Sequence, residues 1–477
     1  MIGRQERWQE DLFVAGPLSE LIPEDHILKR VNRVLDLSWL RDEVRELYDE
    51  RQGRPGIDPE SAVRLMLAGL FQGIVHDRRL MREAQVNLAI RWFAGYRLQE
   101  KLPDHSSLTR LRQRWGAEKF RRIFEKTVAA CAVAGLVSGD TVHVDATLIR
   151  ADVSWESLTE RHVEKVLTEN AVEPPSDDAE SSNETAASRT GKAKKISTTD
   201  PEATMTTSCR QYRMEPSYKQ HTAVDDRRGV VVDVEVTTGE ASEGKQLAVQ
   251  IERIEAQTGK RLKTVTADGA YAHPANYALL ESRQIEAIIP PQAQSKQPRR
   301  IPLRRFQVDA RHDVVRCPAG KRLTRSRQTF NGTMYRARRT DCRACELRSR
   351  CLPPTAQSRT VLIVTHHASL LRARRRHAQW GEAEQTLYRR HRWRAEGVHG
   401  ESKTVHGLRR AARRGLGNVR IQSYLTAAVM NLKRLAALRR TNVSMKPSWT
   451  DAAGIARSFP VLRAPCHLRS AEFQRAA

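Results

Sequence analysis

The feature that most constrains this chain is a change of hydrophobic period at Gly139. Before it, apolar residues recur at helical spacing: Ile27, Val31, Val34 and Leu35, then Val63, Leu67 and Leu70. Steps of three and four residues line one face of a helix. After it the pattern alternates, with Val142, Val144 and Ala146 on one side and His143, Asp145 and Thr147 on the other. A period of two marks a strand. Such a chain builds helices first and a sheet afterwards.

Asp58-Pro59-Glu60 reads as a helix start, with an acceptor at the cap and proline in the first turn. Pro103-Asp104-His105-Ser106-Ser107 offers another, leading into a helix that carries Arg110, Arg112 and Arg114. Those arginines suit either a DNA-facing or a solvated surface. Residues 221–225 and 230–236 read as strands joined by Asp226-Arg227-Arg228-Gly229. A helix follows over 244–257, then a strand over 262–267, a helix from near His273 and a strand over 285–289. This mixed α/β order resembles the core of RNase H-like nucleases.

Six parts result. Residues 1–138 are read as a helical N-terminal DNA-binding domain, and 139–151 plus 208–291 as the first part of an RNase H-like catalytic core. Residues 152–207, rich in Ser, Thr, Glu, Asp and Ala, form a flexible insertion. A basic, cysteine-containing insertion spans 292–360, the helical end of the core spans 361–441, and 442–477 is a tail.

The chain holds 82 Lys and Arg against 56 Asp and Glu, a net charge of +26. That excess points to a polyanionic partner, whose counterions are released on binding. A membrane is excluded as that partner: no apolar run nears the ~18 residues a span needs, and no terminal basic amphipathic helix is evident. Without a signal peptide the chain is expected to be cytoplasmic. Charge does not choose between DNA and RNA.

Cutting and rejoining phosphodiesters needs hard oxygen ligands for divalent metals, usually carboxylates gathered from distant parts of a chain. Asp145 is one candidate, a charge among small and β-branched strand residues; the plain alternative is an edge residue facing solvent. Asp268 follows a buried-looking strand, where catalytic groups sit in open α/β sheets, though it would also serve as a helix cap. Glu396 shares a helical face with Arg392, His399 and Lys403, within about 60°. A solvated Arg392/Glu396 pair is its alternative. Glu401 points roughly 140° away and is the weaker choice. Gly397 and Gly400 each cost a helix about 1 kcal/mol, which suggests close approach of a backbone or of DNA.

Three segments carry a resemblance: His143-Val144-Asp145-Ala146-Thr147, Thr266-Ala267-Asp268-Gly269-Ala270-Tyr271 and Arg392-x3-Glu396-x6-Lys403. They resemble the motifs of bacterial insertion-sequence DDE transposases, in the subgroup whose third motif reads Tyr-x2-Arg-x3-Glu-x6-Lys. Gly53-Arg54-Pro55, Asn87-x3-Arg91-Trp92-Phe93 and Gly407-Leu408-Arg409-Arg410 with Arg414 agree with it. The resemblance implies that Asp145, Asp268 and Glu396 hold two Mg2+ or Mn2+ ions. It implies that Arg392 and Lys403 hold phosphates, and it extends to Arg409, Arg410 and Arg414 as DNA contacts. Double-stranded DNA, both transposon ends and target, is the implied partner, met by a homo-oligomer. The motif's tyrosine position is Arg389 here; Tyr388 is one residue out of register, about 100° round the helix.

Cys317-x24-Cys342-x2-Cys345-x5-Cys351 are candidate ligands of a structural Zn2+, among several arginines. With seven cysteines, an odd count, a disulfide framework is not expected. Two other readings stay open: an RNase H-like nuclease without strand transfer, and a non-catalytic DNA-binding protein derived from a transposase.

Overall fold

A computed structural model describes residues 16–49, 56–161, 194–207, 213–292, 300–309 and 312–441. Gly53-Arg54-Pro55, Cys209, Cys466 and the tail after 441 lie outside the described residues. Six helices come first: α1 Ile27–Asn32, α2 Leu40–Val44, α3 Pro59–Phe71, α4 Asp77–Val86, α5 Leu88–Phe93 and α6 His105–Val133. The sequence signals work as the physics requires. Asp58 accepts from the Ser61 N–H at 2.9 Å to cap α3, and Asp104 accepts from the Ser106 N–H at 2.8 Å to cap α6. Gly116 kinks α6 with φ 66°, a left-handed setting that glycine adopts freely. Arg112 is neither DNA-facing nor solvated: it is buried, with both terminal nitrogens on the Asp77 carboxylate at 2.7 and 2.9 Å.

The sheet begins with β1 Thr141–Arg150. A ribbon of β2 Leu158–Arg161 and β3 Lys194–Ser197 follows, then β4 Thr204–Thr206, β5 Glu215–Asp225 and β6 Val231–Thr238. The segment expected to be a flexible insertion is therefore structured at its described ends. β4 pairs with β5, and Ala151 and Ala203 are buried with Ile149, Tyr218, Val236 and Leu408. Helix α7 Leu247–Thr258 leads to β7 Thr264–Ala267, and α8 Pro274–Ser282 leads to β8 Glu286–Ile288. β1 is antiparallel to β5 and parallel to β7; β5 pairs with β6 and β7 with β8. An antiparallel hairpin beside β1 and two parallel strands on its other side make the mixed RNase H-like order.

Residues 307–364 form a second, antiparallel sheet: β9 Gln307–Asp309, β10 Val314–Arg316, β11 Arg322–Thr329, β12 Gly332–Ala337 and β13 Thr360–Val364. Phe306, Val315, Leu323, Tyr335, Val361 and Ile363 give it its own core. Two short helices, α9 Arg339–Arg343 and α10 Arg348–Cys351, carry Cys342 and Cys351, with Cys345 between them. The chain ends in α11 His367–Ala378, α12 Glu382–Thr404 and α13 Leu416–Thr441. α12 lies across the main sheet, against β1, β5, β7 and β8. Asn431 on α13 clasps Val231, accepting from its N–H and donating to its carbonyl, each at 2.9 Å. The described residues up to Ala436 form one compact unit.

Candidate active site

β1 and β7 run parallel, with Val144 beside Ala267. The next residues, Asp145 and Asp268, therefore leave the pair as neighbours. Asp145 accepts from the Ala146 N–H at 2.8 Å, and its other oxygen lies 3.5 Å from His399 Nδ1. Burial would raise its carboxyl, but the His399 hydrogen bond and charge, the His391 charge and the Ala146 N–H hold it below the usual range. Asp268 caps the 3-10 turn Gly269–Tyr271, accepting from the Ala270 N–H at 2.9 Å. Burial pushes its carboxyl up against that bond, and the charges of Asp145 and Glu243 push it further. Asp145 is thus faced by the imidazoles of His399 and His391, while Asp268 sits in the field of two other carboxylates. Both the capping role and the strand-end position foreseen for Asp268 are occupied at once.

α12 turns Tyr388, His391 and His399 toward these aspartates. His391 Nδ1 is 3.0 Å from Thr266 Oγ1, which is 2.6 Å from His143 Nδ1; His143 Nε2 is 3.0 Å from Asp226. Burial lowers His391 to about 4, so its ring is neutral at pH 7. Tyr388 stacks on His391 with centroids 6.0 Å apart. Burial and the charges of Asp268 and Asp145 raise its hydroxyl. Tyr388 therefore faces the aspartates, whereas Arg389, at the motif's tyrosine position, is exposed and bonds to Thr386 at 3.0 Å.

Glu396 stands one turn before His399 with 63% of its side chain exposed, 3.3 Å from Arg392, which is 81% exposed. The structure thus leaves Glu396 turned outward in the pairing that the plain alternative describes. Around Gly397 and Gly400 no described atom would lie within 4 Å of an added Cβ, so no described backbone approaches either glycine. Lys403 is half-buried and donates to Thr147 Oγ1 at 2.6 Å; burial, Arg409 and Arg150 lower its pKa. Arg409, Arg410 and Arg414 are exposed beyond it. Arg410 and Arg414 donate to the carbonyls of Ala151 and Asp152 at 3.3 and 3.0 Å. Glu401 is committed elsewhere: it pairs with Lys433 and lies 3.5 Å from Arg434 and from His406.

The carboxylate that sequence reasoning missed is Glu243. It belongs to the 3-10 turn Glu243–Gln246 at the entry to α7, and pairs with Lys219 at 3.1 Å. No local pattern marks it, because its place depends on that turn packing against the Asp268 turn.

Among the described residues no three His, Cys, Asp or Glu side chains are gathered into a ready metal cage. The donor set still fits a hard divalent ion: carboxylate oxygens converge, and Asp268 has backbone N–H groups as partners rather than a cation. The four cysteines of the second sheet line one small cavity with Lys321, Arg348 and Arg359. Burial raises the Cys351 thiol, against Arg359, and the other three thiols add to the rise. Thiolates are the soft donors that zinc takes, but these four are not drawn together into a metal cage.

With this geometry in place, the comparisons are as follows. Residues 17–114 match the family described as a transposase domain (DUF772), and residues 316–436 match a transposase DDE domain. The second match contains Glu396 but neither aspartate. No curated protein matches the chain. Among solved structures, the Mos1 transposase paired-end complex with left transposon end is 11% identical with a TM-score of 0.17. That match covers 52% of this chain and 65% of the other, just under two thirds of its length. A piggyBac transposase synaptic complex with hairpin DNA is 9% identical with a TM-score of 0.30, covering 92% and 86%. The Mos1 mariner paired-end complex with Mn is 14% identical with a TM-score of 0.16, covering 53% and 64%. No helix among the described residues is long and apolar enough to cross a membrane.

Proposed function

We propose that this chain, two segments of which match transposase family domains, is a DDE transposase that cuts double-stranded DNA at transposon ends and joins the freed 3′ ends to target DNA. The observation that carries the reading is the meeting of Asp145 and Asp268 where two parallel strands end. Asp145, Asp268 and Glu396 would hold the divalent ions, two of Mg2+ or Mn2+. What such ions supply, when bound, is activation of the attacking oxygen and stabilisation of the leaving one.

The chain's own groups do the rest. His399 holds Asp145 ionised and oriented. The Asp226–His143–Thr266–His391 series fixes α12 against the sheet with a neutral ring facing the aspartates. Lys403, desolvated beside Thr147, and the exposed Arg392, Arg409, Arg410 and Arg414 are read as phosphate contacts. Glu396 would exchange Arg392 for the metal centre once DNA phosphates engage that arginine. The cysteines Cys317, Cys342, Cys345 and Cys351 would hold a structural Zn2+ that braces the arginine-rich second sheet. The protein would act in the cytoplasm on chromosomal DNA, as a homo-oligomer pairing two ends.

The test is cleavage of DNA carrying the element's own ends, with Mg2+ or Mn2+, comparing wild type with Glu396→Gln. Metal-dependent cutting lost in the variant supports the reading. Equal cutting moves the third ligand elsewhere, and no cutting by either protein leaves a DNA-binding protein without catalysis. Cutting without joined products leaves a nuclease.

A further inference from the structure

We propose that Glu243 is a further carboxylate ligand of the same divalent-metal centre, carried to it by the turn that packs against the Asp268 turn, with the Tyr271 hydroxyl positioned to hold that ligand set. The inference rests on the metal-centre reading of Asp145 and Asp268.

Two observations carry it independently. The first is packing. The turn Glu243–Gln246 lies so close to the segment following Asp268 that a Cβ on Gly244 would sit 2.1 Å from His273 Cδ2 and 3.0 Å from Asn276 Nδ2. Asn276 in turn donates to the Tyr271 carbonyl at 2.9 Å. A side chain at 244 would collide with the His273 and Asn276 side chains, so glycine there lets the two turns meet as they do, and their meeting sets Glu243 beside the turn that Asp268 caps. Lys219 fixes that carboxylate from the strand side. Its ammonium donates to the Ala241 carbonyl at 3.0 Å and lies 3.1 Å from Glu243 Oε1.

The second is an orphan. Tyr271 is fully buried, yet its hydroxyl has no hydrogen-bond partner. Leaving a buried donor unmade costs about 1–3 kcal/mol, so a fold keeps one where something absent completes it. Burial and then the charges of Asp145, Glu243 and Asp268 hold that phenol protonated. A neutral O–H in the field of these three carboxylates would find its acceptor once they draw together around a cation. A Lys219–Glu243 pair alone accounts for neither the orphan nor the closeness of the turns.

The test is Mn2+ binding to the full chain without DNA, followed by electron paramagnetic resonance, for wild type, Glu243→Gln, Lys219→Met and Asp268→Asn. Glu243→Gln is expected to weaken Mn2+ binding about tenfold or more, with an unchanged melting temperature in EDTA. Lys219→Met, which removes the group that fixes the carboxylate but keeps the carboxylate itself, is expected to weaken Mn2+ binding clearly less than Glu243→Gln does. Wild-type affinity in Glu243→Gln, with binding lost in Asp268→Asn, overturns the inference and leaves the centre standing. Wild-type affinity in both variants overturns the centre as well. Equal loss in Glu243→Gln and Lys219→Met reduces Glu243 to a structural ion pair. Should Glu243→Gln fail to fold, Glu243→Asp replaces it, and wild-type Mn2+ affinity in that shortened variant counts against ligation.

Discussion

At the scale of single residues, carboxylates of one type are divided by their surroundings. Glu396 and Glu401 are five apart on α12, and sequence geometry already sends them to different faces. Glu396 faces solvent, while Glu401 is enclosed by His406, Arg434 and Lys433. Burial raises Glu401, but these partners bring it from 4.5 down to about 2. A folded-state pKa below the unfolded one gives stability that is complete above about pH 4.5 and is lost as the pH falls toward 2. The difference corresponds to about 3 kcal/mol. Glu401→Gln is therefore expected to lower stability by about that amount at pH 7, with the gap to wild type closing toward pH 2. Urea unfolding at pH 7, 4 and 3 reads it. A gap that does not change with pH would mean that the variant acts through packing instead. Glu401 is thus a brace, a poor substitute for Glu396 at a metal.

At the scale of elements, the helices, β1 and the β5–β6 hairpin were legible because their apolar periods are clean and their caps and turns are explicit. Asp145 was legible as a charge in an alternating strand, and Asp268 as the residue ending the next parallel one. Three things were not. β11 buries only Leu323 fully and exposes Arg322, Arg325 and Arg327, so the second sheet reads as a basic loop. Arg112 sits in a basic run, and its burial is decided by Asp77, 35 residues earlier. Glu243 depends on two turns meeting in space. α12 supplies a further test. Its glycines 397 and 400 have open space beside them, so each is a helix defect that the free protein does not use. Gly400→Ala is expected to stabilise the free protein by about 1 kcal/mol and to weaken binding of end DNA, if DNA fills that space. Thermal melts and gel shifts on one preparation check both. Stabilisation with unchanged binding would take DNA away from this face.

At the scale of the whole molecule, the helical first third is not free to act alone. Asp77 on α4 takes Arg112 from α6 and also Arg413, 2.6 Å away, from the segment after α12. Arg121 on α6 reaches Asp233 at 3.0 Å and Glu235 at 3.2 Å on β6. His406 donates to the Leu70 carbonyl at 2.8 Å, and Asn431 to Thr127 at 3.3 Å. Each of these buried ties is long-range, and each would leave a desolvated polar group if its partner were removed. Two expectations follow for a fragment of residues 16–138 and for the full-length Asp77→Asn variant. The fragment keeps Glu125 but lacks Asp233 and Glu235 as partners of Arg121, and should show no cooperative melt. Asp77→Asn leaves two buried guanidiniums short of their counter-charge and should lose about 3 kcal/mol or more. That loss should appear in one transition shared by circular dichroism and Trp115 fluorescence, because Trp115 is buried in α6 itself. Separate transitions, or a fragment that folds alone, would mean that the helical part is an autonomous folding unit. A single transition would instead mean that the helices and the geometry of the aspartates are coupled through one core, so that whatever binds the first can bias the second.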